Sequence, residues 1–127
     1  MSMIKSRDTK PELIIRKFLF SNGFRYRLNI ANLPGKPDIV LPKYKTIIFV
    51  HGCFWHGHKN CKYSIIPKTR TDWWTTKIEN NRIRDKKIKS ILMKHGWKVI
   101  TIWECQLKSL KRDYTLNKLI KSLNERK

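Results

Sequence analysis

The chain has 127 residues, 40% of them hydrophobic and 11% aromatic, enough for one hydrophobic core, too few for several, and too apolar for a disordered tail. Twenty-nine Lys and Arg against nine Asp and Glu leave a formal charge of +20, which calls for a polyanion partner. The basic residues run along the whole chain instead of segregating to one face, which favours nucleic acid over an anionic membrane surface.

In chain order, Thr9-Lys10-Pro11-Glu12 carries a capping residue, a proline in the first turn and a Glu three residues after the cap. A helix is predicted from there, with Ile14, Ile15, Phe18 and Leu19 as its apolar stripe and Asn22-Gly23 as its end. Phe24 to Asn29 alternates like a half-exposed strand. After the turn from Leu33 to Pro37 come two strands apolar enough to be central, Asp38 to Leu41 and Thr46 to Val50. His51 to Arg70 has neither period and reads as a long functional loop.

Asp72 is the expected cap of a helix running to His95 and closed by Gly96. Trp97 to Trp103 reads as a third buried strand, in which both tryptophans are core residues. Leu107 to Leu123 repeats at helical spacing. The order α-β-β-β-α-β-α predicts a single α/β domain over residues 1–127, with a central mixed β-sheet flanked by helices. No apolar run approaches the roughly 20 residues of a membrane span, and Met1 to Lys10 lacks the apolar segment of a secretory signal. A cytoplasmic protein with no membrane partner is expected.

Five of the seven His and Cys residues crowd into His51 to Cys61, the string HGCFWHGHKNC. Cys53, His58 and Cys61, joined by Cys105 just past a strand, offer the donors of a closed tetrahedral Cys3His zinc site. Cys53 and Cys105 would otherwise be small core residues, and His51, His56 and His58 are all in range of the ion. A closed site has four positions, so at least one histidine is left for other work. Three cysteines in a reducing compartment do not make a disulfide framework.

Pro37-Asp38 puts an acid at the head of an apolar strand, where a carboxylate needs a cation or hydrogen bonds, either as a ligand or as a cap of the preceding turn. An Asp on one strand and a ligand on the next is how PD-(D/E)xK nucleases hold a divalent ion. Where their second acid and lysine would stand, this chain has Val50 and Gly52, so only the backbone carbonyl of Val50 could join Asp38.

The strings DTKPE, GFRYRLN, LPGKPDIVLPKYK, IFVHGCFWHGH, PKTRTDWW, NxxRD and GWKVITIWEC resemble, in order and spacing, the very short patch repair (Vsr) DNA mismatch endonucleases over roughly residues 1–108. The resemblance implies a restriction-endonuclease-like fold, a divergent branch of the PD-(D/E)xK nucleases. It implies catalytic magnesium on Asp38 and the Val50 carbonyl, His56 as general base, and His51 and Glu12 as supporting catalytic residues. Glu12 is equally explained as part of the capping box. The resemblance also implies structural zinc on Cys53, His58, Cys61 and Cys105.

The resemblance implies that Phe54, Trp55 and Trp74 wedge between bases beside a mismatch; the alternative is that Phe54 or Trp55 shields the zinc. Lys77 and Asn81 are four residues apart on one helix face, which would ordinarily be a solvated face; the resemblance implies that they read the edges of a thymine-guanine pair. Arg25, Arg27, Arg70, Arg82 and Arg84 are candidates for phosphate contacts. The implied enzyme is a monomer that nicks double-stranded DNA 5′ of the thymine in T:G mismatches left by 5-methylcytosine deamination, with other mismatch-repair proteins as candidate partners. A related endonuclease without mismatch specificity and a zinc-stabilised non-catalytic DNA-binding module are the alternatives.

Overall fold

The computed structural model describes residues 10–28, 33–35, 37–59 and 61–124. Its elements are α1 (Lys10–Ser21), β1 (Ile39–Leu41), β2 (Thr46–His51), α2 (Thr71–Lys94), β3 (Lys98–Trp103) and α3 (Ser109–Asn124). Short 3-10 turns occupy Pro42–Tyr44, Lys62–Ser64 and Glu104–Leu107. The sheet order is β1-β2-β3, antiparallel between the first two strands and parallel between the last two. This is the expected α/β arrangement of a mixed sheet with helices, restriction-endonuclease-like in form.

Period-two alternation sorts the side chains to two faces. Ile39, Leu41, Ile48 and Ile102 join Ile15 and Leu19 of α1 and Leu116, Leu119 and Leu123 of α3 in the larger core. Val40 and Ile47 turn the other way and meet Leu92 of α2, with Phe49, Ile88, Trp97 and Val99 around them. Burying each such aliphatic side chain contributes about 1.5–3 kcal/mol, so the helices are held mainly by these stripes. α2 is otherwise solvated, with only Ile78 and Leu92 of its 24 residues buried.

Three expectations need correction. Phe24 to Asn29 keeps its alternation of buried and exposed side chains through Leu28, but only Arg27 pairs, in a two-hydrogen-bond bridge to Val40. β1 is three residues long and stops at Pro42, which leaves little strand to pair with. β1 and β3 are the outer strands and only β2 is central; β3 is largely half-buried, with Ile102 its one buried residue. Asp72 lies inside the first turn of α2, whose capping position is Arg70 in the left-handed region (φ 53), and the Thr71 hydroxyl bonds back to the carbonyls of Pro67 and Lys68. The expected cap at Thr9 and the end of the second segment at Asn29 lie outside the described residues.

Candidate active site and metal centre

Asp38, the residue before β1, faces an open cleft of about 1280 Å³ that Glu12, Val50, His51, His56 and Asp85 also line. Asp38 Oδ2 accepts a hydrogen bond from the Val50 N–H at 2.6 Å. The pair expected from sequence therefore meets, although the recorded contact uses the amide of Val50 and not its carbonyl. Burial pushes the Asp38 carboxyl up to about 7, helped by the negative charge of Glu12 and opposed by the Val50 hydrogen bond. Glu12 is itself buried and bonded to Arg16 at 2.9 Å. A half-buried and a buried carboxylate, with the Val50 carbonyl as a further oxygen, offer a hard donor set, and a divalent cation would relieve the cost of ionising Asp38 there. The residues fit magnesium.

His51 ends β2 and is buried, and its Nδ1 has no hydrogen-bond partner among the described residues. Burial, reinforced by His56, lowers its pKa to about 4, so it is neutral. The His56 ring lies flat on it, centroids 3.9 Å apart and planes 3° from parallel. His56 Nδ1 is 2.6 Å from Asp85 Oδ2. This contact places the Nδ1 proton toward the carboxylate and leaves Nε2 with a free lone pair, the arrangement of a positioned general base.

The donor atoms of His51, His56 and Asp85 fall within 4.8 Å of one another. The stacked rings, however, keep their in-plane lone pairs in two parallel planes 3° apart in tilt, and Nδ1 of His56 is already engaged with Asp85, which is poor geometry for a chelate.

Asp85 did not emerge from sequence reasoning. It stands 29 residues from His56, and the only trace of it was the Asn81-x-x-Arg84-Asp85 string. Its helix face explains the contact: Ile78, Asn81, Arg82 and Asp85 recur at helical spacing and together carry the turn 53–57. Asn81 Nδ2 donates to the Trp55 carbonyl at 2.8 Å while its Oδ1 accepts from Arg84 at 3.0 Å. Gly57, at φ +61, lies so close that a Cβ would sit 2.7 Å from Ile78 and 2.6 Å from Arg82. Reading a base with Asn81 would require its amide to release Trp55.

Beyond the other edge of the histidine pair, ligand atoms of Cys53, His58, Cys61 and Cys105 all lie within 4.8 Å of one another. Cys105 Sγ is 3.4 Å from His58 Nδ1, and the Cys105 N–H points at Cys53 Sγ at 3.4 Å. Sulfur and nitrogen donors bound tetrahedrally to one zinc stand about 3.5 Å apart, so the cluster has the right size. Burial pushes the Cys53 thiol up to about 12, and a soft divalent ion would reverse that by binding the thiolate. The residues fit zinc.

Phe54, Trp55 and Trp74 form one half-buried aromatic cluster with centroid distances of 5.2, 5.3 and 5.7 Å. Trp73, not singled out by sequence, extends it at 4.8 Å from Trp74 and lies under Arg70. Lys77 is exposed on the same helix. Trp97 packs in the smaller core as expected, but Trp103 does not belong to either core: it stacks on His58 and meets His51 edge-on. A strand aromatic beside a half-open edge packs on whatever the neighbouring loop offers, here imidazole rings.

Residues 1–62 match the family described as DNA mismatch endonuclease Vsr. The chain is 51% identical over 127 residues to Type II nicking enzyme V.NmeAIP of Neisseria meningitidis serogroup A, covering 98% of this chain and 89% of that protein. It is 46% identical over 110 residues to Type II nicking enzyme V.XorIIP of Xanthomonas oryzae pv. oryzae, 87% and 80% of the two chains. To DNA mismatch endonuclease Vsr of Escherichia coli K12 it is 43% identical over 108 residues, 85% and 69% of the two chains. Identity at this level across nearly the whole chain, on a nuclease-type α/β fold, means that this protein belongs to the Vsr family of DNA endonucleases.

Proposed function

We propose that the protein nicks one strand of duplex DNA 5′ of the thymine in a T:G mismatch and so begins repair of deaminated 5-methylcytosine. The observation that carries this reading is His56, oriented by Asp85 and opening onto the same cleft as Asp38. Water attacking the phosphorus gives its proton to Nε2 of His56, while Asp85 keeps Nδ1 protonated and stabilises the imidazolium that forms. Neutral His51 beneath the ring fixes its plane without adding positive charge. Asp38 and the Val50 carbonyl would hold magnesium, and Glu12 adds negative charge beside them. Bound there, the metal supplies positive charge to the transferring phosphate.

Cys53, His58, Cys61 and Cys105 would hold zinc, which keeps the loop in shape and has no chemical role. The cluster of Phe54, Trp55 and Trp74 sits on the loop and helix that border the cleft, where it serves as a wedge that opens the stack at a mispair. Lys77 offers a donor to a base edge, and Asn81 does so once its amide leaves Trp55.

A second reading, cleavage without mismatch preference, draws support from that engagement of Asn81. One assay separates them: strand scission of otherwise identical duplexes with and without a single T:G pair, with and without magnesium. Cleavage of one strand of the mismatched duplex alone is expected. Equal cutting of both duplexes would replace the mismatch reading, and scission independent of magnesium would remove the metal from Asp38.

A further inference from the structure

Trp103 is the last residue of β3 and the register partner of His51, the last of β2. Its indole lies flat on His58, centroids 4.1 Å apart and planes within 6°, and it meets His51 edge-on at 5.1 Å and 76°. His51 in turn lies flat on His56. The four rings form an unbroken line from the Cys/His cluster to the base assembly, closed at its far end by Asp85. Its near end is anchored by the Trp103 backbone N–H, which donates to Oε1 of Gln106, the residue after Cys105, at 2.8 Å.

The line matters because of what His51 lacks. A buried imidazole is ordinarily oriented by a hydrogen bond at one ring nitrogen, and Nδ1 of His51 has no such partner among the described residues. Its plane is therefore set by ring packing, with His56 stacked on its face, Trp103 meeting it nearly at a right angle to that stack, and Phe49 at 5.8 Å. A rotation of His51 would tilt the ring stacked on it and swing Nε2 of His56 away from the cleft.

We propose that Trp103 is a positioning residue for the cleavage reaction, fixing the planes of His51 and His56 by bridging them to His58. This rests on reading His56 as the base and His58 as a zinc ligand. Trp103 lines the same cleft and meets His56 edge-on at 6.5 Å, but it acts through the histidines: it makes the rigidity of a metal-bound loop available to the proton acceptor. A residue serving only as packing would be replaceable by any apolar side chain of comparable size, whereas a bridge needs a flat ring in contact with both neighbours.

The test compares Trp103→Leu with Trp103→Phe in the full chain, using a duplex with one T:G pair. Single-turnover cleavage by Trp103→Leu should be roughly 10- to 100-fold slower, the cost of a misplacement on the order of an ångström. DNA affinity and zinc content should be unchanged, while a chromogenic chelator should extract zinc from it faster because one face of His58 is uncovered. Trp103→Phe should recover most of the rate. Cleavage by Trp103→Leu at the wild-type rate overturns the proposal. So does a loss that merely follows the fraction of unfolded or zinc-free protein and is the same for Phe as for Leu. A His56→Ala control that still nicks, or wild-type protein without zinc, overturns the underlying reading whatever Trp103 does.

Discussion

At the residue scale, the base assembly and Asp38 make separable predictions. Asp85→Asn keeps the shape of the side chain but lets an amide N–H face Nδ1 of His56, which favours the wrong tautomer. Single-turnover nicking should fall by about 10²–10⁴ with DNA affinity intact, and so should that of His56→Ala. A wild-type rate for Asp85→Asn would remove it from the chemistry.

Asp38 and His51 also oppose each other in pH. Asp38 is raised from 3.8 to about 7, so its contribution to stability is complete below 3.8 and is lost as pH rises through about 7. His51 is lowered from 6.5 to about 4, so its contribution is complete above 6.5 and is lost as pH falls through about 4. Between about 4 and 6.5 the folded chain holds one proton on Asp38 and the unfolded chain one on His51, and the two slopes cancel. In magnesium-free buffer, Asp38→Asn should therefore lose about 1.4 kcal/mol per pH unit on acidification relative to wild type. Urea unfolding across that range measures it, and parallel profiles for the two proteins would mean that Asp38 titrates normally.

At the scale of elements, α2 is the ruler that holds the loop, because Ile78, Asn81, Arg82 and Asp85 all meet the turn 53–57 from one face. Gly57→Ala would drive a Cβ into Ile78 and Arg82 and strain a positive φ, so both melting temperature and nicking rate should drop. An unchanged melting temperature would show that the turn has room to move. The helices were legible in sequence because their stripes and Gly23 and Gly96 ends are local signals. The alternation of Phe24 to Leu28 was legible too, but alternation reports which side is wet and not whether a partner strand exists. The Cys/His cluster was legible because three of its donors lie within nine residues, from Cys53 to Cys61. Asp85 and the placement of Trp103 were not, since only the packing of α2 and β3 against the loop brings them to the histidines.

At the scale of the whole molecule, charge and shape divide the work of binding. Phosphate contacts release counterions, so affinity for any duplex should fall with salt at a log-log slope of about −0.9 per neutralised phosphate. Trp74→Ala removes a ring from the aromatic cluster and no charge. It should therefore weaken the preference for T:G over matched DNA while leaving the salt slope unchanged, as measured by titrations at several ionic strengths. Full preference with a changed slope would make Trp74 a packing residue.

The parallel register of β2 and β3 sets Cys53 and Cys105 each two positions past a matched pair, His51 and Trp103. Slipping β3 by one residue would turn Trp103 to the opposite face and carry Cys105 away from the other three donors. If the four donors hold one ion, its binding would require the same alignment of β2 and β3 that brings His51 and Trp103 together.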